Sequence, residues 1–175
     1  MEVKIQKLRP GAVTPRRGSA DAAGYDLYAG PADGQCVTIA PHATAMIGTG
    51  LALAIPAGYF GGVFARSGLA SKQGLRPANC VGVIDADYRG ECTVALHNDT
   101  DEVRTVAPGD RIAQLVIIAT PSITLHNTYE LPESSRGAQG FGSRPVKQQK
   151  TQPPSRRSKG AAFCFIQRQT CFIQR

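Results

Sequence analysis

Short alternating runs of apolar residues, each cut off by glycine or proline, set the strongest limit on what this chain can fold into. The clearest is Ile47, Thr49, Leu51, Leu53 and Ile55, an unbroken period of two that predicts a strand with one buried face. Val3, Ile5 and Leu8 come close to alternation before Pro10-Gly11, and the run from Cys36 to Ile39 follows the turn Pro31-Ala32-Asp33-Gly34. Pro56-Ala57-Gly58-Tyr59 turns the chain into Phe60 to Ala65, and Pro108-Gly109-Asp110-Arg111 leads into Ile112 to Ile118, a buried strand carrying an amide at Gln114. The 19 glycines and 12 prolines supply the turns. Recurring about every ten residues, they favour an all-β sandwich or jelly-roll over a parallel sheet. One short helix fits, from Arg66 to Lys72, with Ser67 able to cap its first turn.

A chain of 175 residues can bury a core without disulfides or metals. With no Trp and 6% aromatic residues, that core must come from Val, Ile, Leu and Ala. Cys36, Cys80, Cys92, Cys164 and Cys171 form no CxxC pair and are odd in number, so reduced thiols are the simplest reading. His42, His97 and His126 are as scattered, which argues against a zinc cluster. No apolar run is long enough for a bilayer, and Met-Glu-Val-Lys-Ile-Gln-Lys lacks the apolar centre of a signal peptide; a soluble, cytoplasmic protein is expected. The net charge of +7 is concentrated at one end. Residues 144–175 hold eight of the 20 Lys and Arg and no acid, leaving 12 basic against 13 acidic residues before them, a net charge of −1. The overall charge therefore gives no case for nucleic-acid binding by the body of the chain.

Three stretches carry chemistry. In Gly82-Val83-Ile84-Asp85-Ala86-Asp87-Tyr88-Arg89-Gly90-Glu91 an apolar run ends on two carboxylates, and a second alternating run, Cys92, Val94 and Leu96, leads away. This reads as a hairpin whose paired strands fix Asp85 while Tyr88 covers one wall, a rigid acid beside a base-sized slot. The plainer reading is an exposed acidic turn. In Arg66-Ser67-Gly68 a helix start beside an arginine suits a phosphate, or is simply a capped turn with a solvated Arg. Gln114 more often bonds a neighbouring loop than a ligand. In Arg136-Gly137-Ala138-Gln139-Gly140-Phe141-Gly142-Ser143 glycines surround one Phe; without a following Gly-Lys-Ser/Thr it is no Walker loop, and its composition suggests an arm that orders around ligand.

Taken in order, five blocks resemble the motifs of the trimeric dUTP pyrophosphatase (dUTPase) family. They are Ala22-Ala23-Gly24-Tyr25-Asp26-Leu27, Arg66-Ser67-Gly68-Leu69-Ala70, Gly82 to Gly90, Gly109-Asp110-Arg111-Ile112-Ala113-Gln114-Leu115, and Arg136 to Ser143. The resemblance covers residues 1 to about 143 and implies a jelly-roll core over 1–135, an arm over 136–143 and a homotrimer whose sites are each built from three chains. The activity it implies is hydrolysis of dUTP to dUMP and pyrophosphate, limiting uracil in DNA and supplying dUMP for dTMP synthesis.

On this resemblance Arg66, Ser67, Gly68 and Gln114 of one subunit hold phosphates. The hairpin from Asn79 to Tyr88 of a second, with Gly82 and Val83, takes base and sugar, and the arm of a third closes the site. Uracil would pair with main-chain groups as an added strand does, and cytosine would leave buried groups unpaired. Tyr88 on the sugar excludes a 2′-hydroxyl. Asp85 would orient and deprotonate the water that attacks the α-phosphorus. Mg²⁺ on the triphosphate offsets charge, held by phosphate oxygens and waters with Asp26 in its outer shell and no direct protein ligand. Arg111 is read as a partner for nearby carboxylates. Phe141 would stack on uracil, Arg136 and Ser143 would reach the terminal phosphates, and Gly142 is a further substrate contact of the arm.

The chain departs from the family after Ser143. Residues 144–175 add Pro153-Pro154-Ser155-Arg156-Arg157-Ser158-Lys159 and a repeat of Cys-Phe-Ile-Gln-Arg at 164–168 and 171–175, expected to be disordered. A nuclear address, an anionic-partner arm and a reading-frame artefact all stay open for this tail. Two other functions compete with the hydrolase. A dCTP deaminase of the same fold is disfavoured by the complete arm with Phe141, and a non-enzymatic trimeric module by the retention of Asp85.

Overall fold

The computed structural model describes residues 1–140, so the tail and Phe141, Gly142 and Ser143 of the arm lie outside the described residues. The chain divides into two units, Met1–His126 and Asn127–Arg175.

Met1–His126 is a sandwich of antiparallel sheets. One sheet holds, in order across it, β1 (Lys4–Lys7), β5 (Thr44–Ala54), β9 (Glu91–Asn98) and β7 (Leu75–Pro77). The other holds β2 (Arg16–Arg17), β3 (Tyr25–Tyr28), β11 (Arg111–Ala119), β6 (Tyr59–Phe64) and β8 (Val81–Ile84). A ribbon of β4 (Val37–Ile39) and β10 (Arg104–Val106) completes the strands, and the helix is α1 (Ser67–Gln73). The jelly-roll with one short helix is thus the observed fold. Strand alternation drives it: Cys92, Val94 and Leu96 of β9 point inward while Thr93 faces out, and they join Leu27, Ile47, Val63, Ile84, Ile112 and Leu115 in one core. That core is aliphatic, as a chain poor in aromatic residues requires.

Four details differ from the sequence reading. In β5 the odd positions are buried as expected, but so are Gly50 and Ala52. The N-terminal segment covers this second face: a β-carbon on Gly50, whose φ is +70°, would lie 2.8 Å from Cβ of Ala12, and the pairing register with β9 shifts between Gly48 and Ala52. β1 forms, yet as an exposed edge strand, because among the described residues it pairs with β5 alone. The cap of α1 is not Ser67. Arg66 occupies the N-cap with extended backbone and no side-chain bond to the first turn of the helix, and Ser67 is the first helical residue, its carbonyl accepting from the Ser71 hydroxyl at 2.7 Å.

The fourth difference bears on the site. β8 and β9 do not pair with each other: β8 is the outer strand of the five-stranded sheet, bonded to β6, whereas β9 lies between β5 and β7 in the other sheet. The Asp85 stretch is therefore a corner between sheets. Alternation alone could not tell this, since two inward-facing runs look alike whether they share a sheet or face each other across a core.

In Asn127–Arg175 the described residues carry no helix or strand. Gly137 N–H donates to Ser134 O at 3.1 Å and Gln139 N–H to Arg136 O at 3.2 Å, closing a local turn. No described helix is long and apolar enough to cross a membrane.

Candidate active site

The first cluster grows from one row of residues across the five-stranded sheet. Asp26 on β3 pairs with Gln114 on β11, which pairs with Phe64 on β6. Directly opposed residues in antiparallel strands share a face, so the carboxylate and the amide stand side by side. Two residues past Phe64, Arg66 turns back and donates from Nε to Asp26 Oδ1 at 2.7 Å, and Arg111 Nη1 donates to Asp26 Oδ2 at 3.2 Å. Asp26 is only 13% exposed, so this pairing is more than a solvated surface contact. Gln114 Nε2 donates to Ala65 O at 2.9 Å, tying the amide to the residue before Arg66. The guanidinium of Arg66 is thereby fixed through Nε, and its Nη1 also donates to Arg111 O at 3.4 Å, which leaves its remaining N–H groups to face an anion. Ser67 and Gly68 follow, exposed, at the start of α1.

A second cluster runs along β8 and its corner. Before it, Cys80 takes a left-handed φ of 60°, and Val81 N–H donates to Asn79 O at 2.6 Å, a tight reversal that is costly for a residue with a β-carbon. It brings Asn79 beside Gly82: a β-carbon on Gly82 would lie 3.3 Å from Asn79 Nδ2 and 3.1 Å from Cβ of Val63. Asn79, Gly82 and Val83 line a slot of about 80 Å³ between β8 and β9, closed behind by Val63, Thr93 and Ala95. As the outer strand of its sheet, β8 keeps main-chain groups free on that side. Val83 is 61% exposed.

Asp85 follows at the end of β8. It is exposed, and among the described residues its carboxylate makes no hydrogen bond or ion pair. It lines a cleft of about 450 Å³ with Val83, Ala86, Tyr59 and Phe60. The corner is held by its own groups: Tyr88 N–H donates to Asp85 O at 3.2 Å, Arg89 Nη1 to Ala86 O at 2.6 Å, and Tyr88 Oη to Glu91 O at 3.1 Å. Tyr88 lies back over Gly90, where a β-carbon would come 2.4 Å from the phenol oxygen. At the far end Glu91 is gripped by Arg9 and by Gly50 N–H at 2.7 Å, and Arg9 Nε reaches Gly30 O at 2.8 Å. The next residue, Cys92, is buried, and burial pushes its thiol up to about 11, so it stays neutral and inert.

The two clusters are not adjacent within one chain. Phe64 pairs with Val81 and Gly61 with Ile84, so β8 runs away from the Asp26–Gln114 row and ends on Asp85. At about 3.3 Å per residue and 4.8 Å per strand, Asp85 stands on the order of 15 Å from Gln114. Arg66, which leaves β6 at the opposite end, is further still. Arg136 belongs to the unit beginning at Asn127, where its Nε donates to Gln139 O at 2.6 Å.

Reading the sequence missed two supports. The first is the Glu91–Arg9 strut, whose members are 82 residues apart and carry no local signal. The second is Asn98, the last residue of β9, which is fully buried: its Nδ2 donates to Ile39 O, Ala40 O and Glu102 O at 3.2, 3.1 and 2.7 Å, and its Oδ1 accepts from Thr100 N–H at 3.0 Å. An Asn closing an otherwise apolar inward run was the available clue.

Known proteins resemble this chain closely. The dUTPase family model matches residues 11–144. A deoxyuridine 5′-triphosphate nucleotidohydrolase of Syntrophotalea carbinolica is 47% identical over 140 residues, covering 80% of this chain and 94% of its own. That of Yarrowia lipolytica is 41% identical over 152 residues, covering 86% and 93%. Among solved structures, the Staphylococcus bacteriophage 80alpha dUTPase with dUPNHPP superposes with a TM-score of 0.71 at 30% identity, over 83% of this chain and 99% of that one. With the carboxylate, arginine and amide of one row, and the slot and free acid of β8, all inside the matched span, this chain belongs to the dUTPase family.

Proposed function

We propose that the chain hydrolyses dUTP to dUMP and pyrophosphate at sites shared between copies of itself in a homotrimer. The observation that carries this reading is the separation of the two clusters. A triphosphate is too short to lie against Asp85 and Arg66 of the same chain, yet each is formed as a half-site: one a braced cation, the other a slot ending on a free acid. The relatives named for dUTP hydrolysis and the solved neighbour carrying dUPNHPP support the substrate.

In the assembled site uracil enters the slot at Asn79, Gly82 and Val83 of one copy and pairs with free main-chain groups of β8. Cytosine presents a donor where uracil accepts and is rejected by the unpaired groups it leaves. Tyr88 stacks against the sugar and leaves no room for a 2′-hydroxyl. Arg66, Gln114, Ser67 and Gly68 of a neighbour bind the phosphates. Asp85, exposed and unpartnered, accepts the proton of a water aimed at the α-phosphorus, and pyrophosphate leaves. The arm over residues 136–143 of a third copy closes the site, Arg136 and Ser143 reaching the terminal phosphates while Phe141 and Gly142 cover the base.

A divalent ion, Mg²⁺ in this reading, arrives on the triphosphate as part of the substrate and offsets its charge. The donor set fits that role and no tighter one. Among the described residues no three His, Cys, Asp or Glu side chains gather around a cation position, and both Asp26 oxygens already accept from guanidiniums. Asp26 retains lone pairs for a water in the outer shell. The free thiols Cys36, Cys80 and Cys92 suit the reducing cytoplasm. Residues 144–175 play no part in the chemistry.

The purified full chain with Mg²⁺ and dUTP, UTP, dCTP or dTTP is expected to release pyrophosphate from dUTP alone. The shared site is tested by mixing two inactive variants, Asp85→Asn and Arg66→Ala, by co-refolding. Random trimers restore both intact half-sites at about a quarter of positions, and activity should return to that fraction. A mixture as inactive as its parts would remove the shared-site reading while leaving the hydrolase intact.

A further inference from the structure

Gly24 lies in the phosphate-holding half and has no part in the chemistry above. It is buried immediately before β3, two residues ahead of Asp26. A β-carbon there would lie 2.7 Å from Oε1 of Gln114, 3.2 Å from its Cβ and 3.3 Å from its Cδ. Gly24 is not among the residues with left-handed φ, so only space, and not backbone conformation, demands glycine. Gln114 in turn uses one amide hydrogen on Ala65 O at 2.9 Å and keeps the other. Through that bond one amide ties β3, β11 and the exit of β6, where Arg66 begins its return to Asp26.

The deciding question is what would give way to a methyl group at position 24. The three nearest atoms all belong to the Gln114 side chain and none to the backbone. The amide atoms, Oε1 and Cδ, escape by a change of rotamer, and Cβ at 3.2 Å, which the backbone fixes, needs a shift of only about a few tenths of an ångström, whereas a sheet resists larger displacement. Gly30 makes the contrast: it too lies outside the left-handed region, but a β-carbon there would meet Thr49 O at 2.8 Å, backbone with nowhere to go. Substitution at Gly30 should therefore cost fold, and at Gly24 should cost a hydrogen bond.

We propose that Gly24 is a positioning residue for the phosphate-holding half: its missing side chain lets Gln114 hold the Ala65 carbonyl, which aims Arg66. This rests on the reading of Arg66 and Gln114 as phosphate contacts, and wild-type pyrophosphate release from dUTP tests that reading separately. The test compares Gly24→Ala, Gln114→Ala and the double variant, with Gly30→Ala as control, all in the full chain. Gly24→Ala should melt within about 2 °C of wild type. It should weaken binding of a non-hydrolysable dUTP analogue by about tenfold and raise KM for dUTP more than it lowers kcat, while changing dUMP affinity less than about twofold. In the Gln114→Ala background it should add nothing, because the two act as one unit. Equal losses in both backgrounds, equal losses for dUMP and the analogue, or a melting point that falls as far as that of Gly30→Ala would each overturn the proposal.

Discussion

The two clusters are built on opposite principles. Around Asp26 the groups are held by one another within the chain: the carboxylate accepts from two guanidiniums, the Gln114 amide donates one hydrogen to a carbonyl, and a buried glycine makes room. Along β8 and its corner the backbone is braced but the side chains face outward, with Asp85 unpaired among the described residues, Val83 61% exposed and Tyr88 47% exposed. A group that must bind charge gains from being aimed in advance, since no ordering is left to do on binding. An acid that must take a proton gains from having no internal partner to hold it in one state. The contrast teaches that stability and activity should separate cleanly in the second region and travel together in the first wherever the Asp26 ion pairs themselves are broken.

The largest effect should come from Asp85→Asn. Removing the base while leaving its shape should lower kcat by about 10³-fold with KM nearly unchanged, in the range for lost general-base catalysis. Since the carboxylate has no partner among the described residues, the denaturation midpoint should not move. A variant that retained its rate would take Asp85 out of the chemistry, and one that lost stability would break the contrast itself. Next in size, deletion of residues 136–175 should reduce turnover by about 10²-fold or more through loss of closure. Deletion of 145–175 should leave steady-state rates at the full-length value, and a loss there would bring the basic tail into the catalytic cycle.

Asp26→Asn should act on both properties at once. Two guanidiniums lose their counter-charge in a partly buried setting, which should cost about 1–3 kcal/mol of stability by chemical denaturation. Arg66 loses its anchor, so KM for dUTP should rise by roughly tenfold with a smaller change in kcat. An Asp26→Asn chain of wild-type stability would show that the brace contributes little, and the two regions would then differ only in exposure.

Legibility in the sequence follows the same division. The strands of the sandwich could be read because inward-facing residues repeat every second position, as in Cys92, Val94 and Leu96. Candidate site residues could be proposed because five motifs stand in order, Asp85 and Arg66 among them. What could not be read is what depends on distance along the chain. Period two in β8 and β9 fixes which side chains face inward but not whether the strands share a sheet, and a hairpin was expected where the chain turns a corner. The Arg9–Glu91 strut and the Asn98 hub join residues far apart; the strut leaves no local trace, and the hub only an Asn at the end of an apolar inward run. Ser67 failed as a cap because the helix begins one residue earlier than its side chain required.

The smallest expected effect lies where the exposed corner meets the core, at Cys92. Its carbonyl accepts from Thr49 Oγ1 at 2.6 Å, and burial lifts its thiol from an ordinary 9.0 to about 11. The unfolded chain thus gives up this proton near pH 9 while the folded chain holds it until about pH 11. Folding stability is fully present below pH 9 and falls as the pH rises through that window, because the unfolded state binds fewer protons there. Cys92→Ala should lose about 1–2 kcal/mol at neutral pH from the small cavity it leaves. Between pH 9 and pH 11 the wild-type advantage should shrink by about 2 kcal/mol, since only the wild type carries the raised thiol. Urea midpoints of both chains measured at about pH 7.5, 9 and 10.5 would read the difference directly. A gap that stayed constant across that series would mean the thiol reaches solvent, and that the corner exposes more of β9 than Asp85 and Tyr88 alone.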